Sequence, residues 1–221
     1  MTTSKDLLIV TMDMPSHLPV ERGDLSLALA GAEAVDLLAA GAIRVETDRI
    51  VPGTPRRALG DPLLDEAAAA VVREKPYEVV DAWLWRRGRG LAQSYLDAME
   101  AAGLLARESW RRWLVVRNSR LMLLDSAERR RAHHRWNADE PVLAGLATTI
   151  GVTDHRAEEE SPQVGDAGAG DLGADDAPAG DTGVAAVLSA VAEAVAELAA
   201  ERERRDGRLL DAAADNVRRG Y

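Results

Sequence analysis

The strongest structural signal in this chain is a helical pattern that begins at Asp24 and stops at Gly41. Leu25, Leu29 and Leu37 recur at the spacing of one helix face, with alanines between them. Aspartate is a common N-cap residue, and a glycine just after the last apolar position ends many helices. The pattern therefore predicts a long helix whose apolar face packs against other elements of a core.

Composition indicates that those other elements are helices as well. Of 221 residues 47% are hydrophobic, but Phe is absent and aromatic residues make up only 4%. A core of alanine, leucine and valine favours closely packed helices over a β-sandwich. The length fits one domain, or one domain with an appendage. The absence of cysteine excludes disulfides, thiolate nucleophiles and cysteine-ligated metals.

Caps, breaks and apolar spacing predict the remaining elements. Residues 7–12 fit either a helix or a buried strand. A hairpin is predicted from strands at 43–47 and 50–51, and a second one from strands at 104–106 and 113–116. Further helices are predicted over 62–73, 77–86, 91–102, 127–135, 141–150, 184–203 and 209–219. The predicted fold class is mainly α, with a few short strands or hairpins.

A change of composition divides the chain. Residues 153–183 carry nine acids, much glycine and almost no large apolar side chain. Such a segment cannot bury enough surface to offset its chain entropy, so it is predicted to be a disordered acidic linker. It separates a helical domain at 1–152 from C-terminal helices at 184–221. The apolar face of those helices is expected to dock back on the main domain.

All five tryptophans lie between Trp83 and Trp136. The same stretch holds twelve arginines against five acids, so it is basic within an acidic protein of net charge −10. A local basic surface favours an anionic partner, and tryptophan rings suit a membrane–water interface. The alternative interpretation is that the tryptophans form core and the arginines a solvated face. Both interpretations remain open at this point.

No catalytic constellation is present. The sequence has no P-loop, no dinucleotide-binding glycine fingerprint and no Gly-x-Ser-x-Gly elbow. His133 and His134 are adjacent, so on a helix they point in different directions and cannot chelate one metal. Asp61, Asp65 and Glu66 fit a capped first helical turn better than an acid–base pair. We therefore expect no enzyme activity, no metal site and no cofactor.

One compact cationic motif stands out at residues 86–90, Arg-Arg-Gly-Arg-Gly. It lies where one predicted helix ends and the next begins. The N-terminus of the second helix would add unpaired N–H groups, which bind phosphate together with guanidinium groups. Arg86, Arg87 and Arg89 are therefore the predicted phosphate-binding residues.

The N-terminus has too short an apolar segment for a signal peptide, and no apolar run approaches the length of a spanning helix. The chain is expected to be soluble and cytoplasmic. Its excess of alanine, arginine, glycine and aspartate is what GC-rich codons encode, which suggests a bacterial source.

Two segments together resemble the Golgi phosphoprotein 3 family. They are Leu27-Ala-Leu-Ala-Gly-Ala-Glu-Ala-Val-Asp-Leu-Leu-Ala-Ala-Gly-Ala-Ile-Arg-Val and Gly60-Asp-Pro-Leu-Leu-Asp-Glu-Ala. Asp81-Ala-Trp, Met99-Glu-Ala-Ala-Gly-Leu-Leu and Trp113-Leu-Val-Val follow in family order. The resemblance covers residues 5–152 or so, and the acidic linker looks like an insertion.

The resemblance implies a single helical-bundle domain, ringed by amphipathic helices, with a few short strands. It also implies a peripheral membrane protein that binds phosphatidylinositol 4-phosphate. The family's lipid pocket uses a tryptophan and an arginine near the first long helix and two arginines one turn apart further on. In this sequence those positions hold Glu21, Ala30, Arg89 and Ala92. Only Arg89 matches, and Arg86 is one turn earlier, where it would stand in for the missing partner.

These observations favour a non-enzymatic module that binds an anionic phospholipid on the inner membrane face through the stretch from Trp83 to Trp136. The alternative is a protein–protein scaffold that has lost lipid binding and uses the linker and C-terminal helices as contact elements. A winged-helix nucleic-acid binder is a distant third, because the helix before the first hairpin, at 24–41, carries no cations. No nucleic-acid partner is expected, and the sequence does not determine the oligomeric state.

Overall fold

The structure is a computed structural model that describes residues 2–13, 19–55, 58–110, 118–153 and 179–218. Within these ranges it contains eight α-helices and two separate antiparallel strand pairs. The prediction of a mainly α protein is confirmed.

Elements are numbered in chain order. The helices are α1 (Thr3–Asp13), α2 (Arg22–Ala39), α3 (Pro62–Ala69), α4 (Val80–Arg87), α5 (Leu91–Ala101), α6 (Ala127–Asn137), α7 (Pro141–Thr149) and α8 (Ala179–Arg218). The strands are β1 (Ile43–Glu46), β2 (Arg49–Pro52), β3 (Leu105–Trp110) and β4 (Asn118–Leu123).

Helix α2 is the centre of the fold. Every residue from Leu25 to Val35 is buried, and the helix contacts α1, α3, α4, α5, α7 and α8. The fully buried Ala28, Ala30 and Ala32 have small side chains, so neighbouring helices approach α2 from all sides. Small and apolar residues occupy most of its circumference, and the buried Glu33 is paired with Arg87, so α2 is buried beyond the single stripe expected from the sequence.

Helix α8 lies antiparallel against α2. Val191 of α8 lies beside Gly31, and Leu198 lies beside Gly23 at the N-terminal end of α2. The predicted break at Gly207 is wrong, because α8 continues through it to Arg218. A helical glycine costs only about 1 kcal/mol relative to alanine, and strong helix formers flank this one.

Replacing Gly31 with alanine tests how tightly α2 and α8 meet. A Cβ at this position would lie 2.3 Å from Val191 Cγ2, a methyl on a stiff β-branched side chain. We expect Gly31→Ala to destabilise the fold by about 1–3 kcal/mol, because overpacking exceeds the gain in helix propensity. Gly207→Ala is the matched control, since nothing lies within 4 Å of its Cβ position. Urea denaturation measures the free energy of unfolding, which should rise by a few tenths to 1 kcal/mol in the control. The same change in both variants would contradict the close packing of α2 and α8.

By length and composition alone, the Thr182–Asp215 part of α8 is apolar enough to cross a membrane, with a mean hydropathy of 1.7 over its best window. This differs from the expectation that the chain has no such run. In the structure, however, the stripe containing Val187 and Val191 is fully buried against the helical body.

Helix α1 is attached to α2 and α6 through acidic side chains. Asp36 of α2 accepts hydrogen bonds from the N–H groups of Thr3 and Ser4, at 3.0 and 3.4 Å, and so caps α1 from outside. Burial raises the pKa of Asp36 above its ordinary value. Asp6 lies within α1 and binds Arg135 of α6. Residues 7–12, whose apolar run fitted either a helix or a buried strand, lie within α1 and are helical.

The first hairpin is confirmed, with Ile43 opposite Pro52. The second hairpin also exists, and its predicted first strand at 104–106 overlaps β3, but the partner of β3 is β4 at 118–123 and not the predicted segment at 113–116. Strand β3 pairs with β4 so that Leu105 lies opposite Leu123. Two apolar runs follow β3 in the sequence, one at 113–116 and one within β4. The local pattern of apolar residues does not show which of them pairs with β3. Residues 111–117 lie outside the described residues, so the predicted strand there is not described.

Several boundaries also differ from the predictions. Helix α3 ends at Ala69 rather than at residue 73. Helix α7 begins at Pro141, as predicted, and ends at Thr149; Glu140 caps it, and Asp139 before the cap has a positive φ of 49°. Helix α8 begins at Ala179, inside the segment predicted as a linker, while residues 154–178 of that segment lie outside the described residues.

Candidate anion-binding site

The cationic motif at 86–90 forms the corner between α4 and α5. Helix α4 ends at Arg87, and Gly90 is the N-cap of α5 with a φ of +71°, which glycine adopts without strain. A Cβ on Gly88 would lie 3.3 Å from the carbonyl oxygen of Ser26. The corner therefore rests directly on the backbone of α2.

Arg87 is part of a buried ion pair. Its Nε and Nη2 donate to the two carboxylate oxygens of Glu33 on α2, at 2.7 and 2.9 Å, and Nη2 also donates to the Leu63 carbonyl. The hydroxyl of Tyr95 donates to the same carboxylate at 3.1 Å. Burial raises the pKa of Glu33, and the Arg87 hydrogen bonds oppose that rise. This guanidinium is therefore engaged in holding α4 and α5 to α2.

Arg86 is engaged as well, although its side chain is exposed. It donates to both carboxylate oxygens of Glu78, at 2.7 and 2.6 Å, and to the Ala70 carbonyl at 3.1 Å. Its guanidinium carbon lies 5.3 Å from the ring centroid of Trp83, within the range of a cation–π contact. Arg86 thus joins α4 to the end of α3.

Arg89 differs from both neighbours. Its side chain is exposed, and it forms no ion pair within the part of the chain that the structure describes. It lines an open groove of about 360 Å³ together with Arg22, Ser26, Trp85 and Leu198. We call this groove the notch. It places two guanidinium groups, a hydroxyl and an indole ring around one space.

The helix N-termini at the notch differ from the expectation. The Ala92 N–H donates to Ser26 Oγ at 3.2 Å, and the next two N–H groups donate to the Gly90 carbonyl. The expected unpaired N–H groups at the start of α5 are therefore already satisfied.

At α2 the N-cap residue Glu21 makes no side-chain cap, and Arg22 follows at the first helical position. The notch thus lies at the positive end of the α2 dipole.

The acids around the notch leave a small positive charge. Asp24, in the first turn of α2, is bound by Arg202 of α8, with Nη1 3.0 Å from Oδ2. That pair is neutral overall and joins α8 to this end of α2. Among the described residues at this end of α2, Arg22 and Arg89 then stand against Glu21, which leaves one positive charge.

The rest of the stretch from Trp83 to Trp136 is not one continuous basic face among the described residues. Both of these tryptophans are buried, with 0% and 7% exposure, whereas Trp85 is half-buried. Further arginines are paired with acids: Arg107 with Glu100, Arg129 with Asp13, Arg130 with Asp125, and Arg135 with Asp6 and Glu140. Residues 111–117, which carry three more arginines and Trp113, lie outside the described residues.

The chain matches the family model described as Golgi phosphoprotein 3 (GPP34) over residues 4–219. The chain belongs to the Golgi phosphoprotein 3 family. No curated protein matches it. The family match runs well past residue 152, where the sequence resemblance was placed to end, and it includes the whole of α8.

Three of the four positions that the resemblance assigned to the family's lipid pocket are unsuited to an anion here. Ala30 and Ala92 are fully buried, and the Ala30 carbonyl accepts a hydrogen bond from the Trp83 indole at 3.3 Å. Glu21 is exposed and carries the wrong charge. Arg89 is the one position of the four that combines exposure with positive charge.

Sequence reasoning missed Arg22 and Trp85 as neighbours of Arg89. A signal for each was present in the sequence. Arg22 directly follows Glu21, the position compared with the family's tryptophan, and Trp85 is about one helical turn before Arg89. Leu198 carried no such signal, because its place depends on how α8 docks.

The remaining candidates for chemistry have structural partners. Asp61 caps α3, since its carboxylate accepts from the N–H groups of Leu63 and Leu64 at 3.0 and 3.3 Å. His133 Nε2 lies 2.7 Å from Asp13 Oδ2, which ties α6 to the end of α1. Among the residues the structure describes, no group of three or more metal-ligating side chains is positioned to hold an ion.

Proposed function

We propose that this member of the Golgi phosphoprotein 3 family is a non-enzymatic, peripheral membrane protein that holds an anionic lipid headgroup in the notch. The observation that carries the proposal is the exposed guanidinium of Arg89, which has no ion-pair partner among the described residues, beside Arg22 at the start of α2, where Glu21 makes no side-chain cap. Family membership supports a phosphoinositide, and phosphatidylinositol 4-phosphate in particular, as the ligand.

The chemistry of the notch suits a phosphate monoester. Two guanidinium groups offer planar pairs of donors to phosphate oxygens, and the α2 N-terminus adds a favourable dipole. Ser26 Oγ accepts from the Ala92 N–H and keeps its own hydroxyl proton as a donor. The half-buried indole of Trp85 is of the type that sits at the level of lipid headgroups.

Arg86 and Arg87 have a supporting part in this proposal. They were predicted to bind phosphate directly, together with Arg89. Because Glu78 and Glu33 already engage their guanidinium groups, their contribution is to fix the corner that carries Arg89. Their charges also add to the local positive potential only weakly, since each is paired.

The proposed location is the cytoplasm, with reversible attachment to the inner membrane face. That leaflet has a negative surface potential that attracts a cationic site over about one Debye length. One net positive charge gives weak attraction alone, so specific headgroup contacts in the notch must provide most of the affinity.

Liposome co-sedimentation tests the site. We expect the intact chain to bind vesicles containing phosphatidylinositol 4-phosphate and Arg89→Ala to bind them at least tenfold more weakly, because a charge-assisted hydrogen bond contributes about 1.5–3 kcal/mol. Arg44→Ala is the matched control. It removes the same charge from β1, which follows the opposite end of α2, and breaks only an exposed pair with Glu46. Equal binding by both variants would contradict the proposed site.

Salt and lipid composition separate the remaining outcomes. Preference for the phosphoinositide over equally charged phosphatidylserine vesicles, retained at physiological salt, would support a specific site. Binding to both anionic vesicles alike, lost at physiological salt, would indicate a diffuse charged surface instead. No binding to any vesicle would contradict the proposal and favour the protein–protein scaffold.

A further inference from the structure

The C-terminal part of α8 projects beyond the helical body. Arg202 binds Asp24 at the first turn of α2, and α8 continues for sixteen more residues to Arg218. At 1.5 Å per residue this extension is roughly 24 Å long. We call residues 203–218 the overhang. Its described side chains are exposed throughout.

The overhang is amphipathic from residue 208 onward. At 100° per residue, five apolar side chains fall within an arc of about 140°: Leu209, Leu210, Ala213, Ala214 and Val217. The opposite side holds Arg208, Asp211, Asp215 and Arg218, with no net charge. Leu209, Leu210 and Val217 are 63%, 71% and 77% exposed, so an apolar sector faces solvent.

One edge of the apolar sector lies on the same side of α8 as the notch. Leu198 lines the notch, and Leu209 follows eleven residues later, which is three helical turns plus about 20°. Leu209 is eighteen residues, or five full turns, after the buried Val191, so this edge of the sector continues the stripe that packs against the body. The notch and the start of the overhang both lie at the N-terminal end of α2.

We infer, building on the proposed function, that the overhang lies in the interfacial region of the membrane, with its apolar sector among the lipid chains. An amphipathic helix of this kind buries its apolar face about 5–10 Å into the boundary between headgroups and acyl chains. The polar side, with balanced charges, remains in water. The notch supplies a headgroup contact, and the overhang supplies apolar insertion.

A second copy of this chain is a poorer occupant of the same sector. A stable protein interface buries about 800 Å² on each partner, around a packed centre that usually includes aromatic residues. The sector offers two leucines, a valine and two alanines on one isolated helix. A bilayer needs no complementary partner surface, so a single apolar stripe is sufficient for it.

Two weak contacts acting together explain how a site with one net charge stays at a membrane. One acyl chain or one short apolar surface gives only marginal, reversible binding, whereas two signals combine to give stable attachment. Removal of either contact is therefore expected to release most of the protein from vesicles. Leu209→Ser with Leu210→Ser should lower vesicle partitioning by roughly tenfold or more.

A site-specific fluorescent probe tests the inference. The chain has no cysteine, so Val217→Cys and Asp215→Cys each provide one labelling position in the full-length protein. With an environment-sensitive nitrobenzoxadiazole label and phosphatidylinositol 4-phosphate vesicles, we expect a blue shift and increased emission at position 217. The label at position 215, on the polar side, should change little.

The outcomes separate this inference from the proposed function. Vesicle binding that depends on Arg89, with no spectral change at 217, would overturn the overhang inference and leave the notch proposal standing. A change at 217 that persists in Arg89→Ala would support the overhang and count against the notch. Equal changes at 215 and 217, or a dimer that dissociates in the Leu209→Ser/Leu210→Ser variant, would show that another surface covers the sector and would overturn the inference.

Discussion

Replacing Arg87 with alanine is expected to destabilise the fold by about 3–5 kcal/mol, because it leaves a carboxylate buried without its partner. Glu33 has no exposed side-chain surface, and Arg87 is 16% exposed. The same carboxylate accepts the Tyr95 hydroxyl, which alone cannot replace a charge. Thermal or urea denaturation measures the loss. Arg86→Ala, which breaks an exposed pair with Glu78, should cost within about 1 kcal/mol.

The pH dependence of this loss identifies its cause. Burial already raises the pKa of Glu33 above its ordinary 4.5, and loss of Arg87 removes a contact that lowers it. A group with a raised folded-state pKa favours the fold at low pH and loses that contribution as pH rises through the folded pKa. The deficit of Arg87→Ala should therefore shrink as pH falls below the raised value. A deficit independent of pH would contradict an uncompensated charge.

A paired replacement controls for lost packing. Arg87→Met with Glu33→Leu removes both charges and keeps most of the volume. Such replacements of buried ion pairs are often neutral or stabilising. We expect the double variant to recover most of the stability lost in Arg87→Ala, and failure to recover it would mean that packing dominates.

Replacing Trp83 alone with alanine is expected to lower the free energy of unfolding by about 3–5 kcal/mol, the usual range for a fully buried large aromatic side chain. Its ring has 0% exposure, and its indole N–H donates to the Ala30 carbonyl of α2. The change leaves a cavity between α4 and α2 and removes a second hydrogen bond from a carbonyl that the α2 backbone already engages. Denaturant midpoints should fall with an unchanged slope if two-state unfolding is retained.

Trp85→Ala is the comparison that separates core from site. Trp85 is half-buried, lines the notch and is two residues from Trp83. We expect a smaller loss of stability, about 1–2 kcal/mol, together with weaker vesicle binding. Similar losses of stability for both tryptophans, with no effect on binding, would assign Trp85 to the core as well.

Helices with strong local signals were predictable from the sequence. The run from Asp24 to Gly41 carried its own periodicity, and Asp61 with Pro62 carried a helix start. The second hairpin was misplaced because two apolar runs followed β3, and only the packing of Leu105 and Leu123 in the folded chain selects one. The break at Gly207 was wrong for a similar reason: a local rule was outweighed by the helix formers around it.

The site was less predictable because charges pair across the fold. Arg87 and Glu33 are 54 residues apart in sequence, and Arg202 and Asp24 are 178 apart. A count of arginines in one stretch therefore overstated the free positive charge. Only the folded arrangement distinguishes Arg89, which has no acidic partner among the described residues, from Arg86 and Arg87, which have one each.

Chemical-shift mapping with a soluble phosphoinositide tests the central claim most directly. A short-chain phosphatidylinositol 4-phosphate, titrated below its micelle concentration into ¹⁵N-labelled protein, should shift the amide signals of Gly23, Gly88 and Gly90 and the indole signal of Trp85. All four groups belong to residues that line the notch. The account predicts saturable shifts there that Arg89→Ala abolishes. No shifts at these signals, or shifts confined to other surfaces, would contradict it.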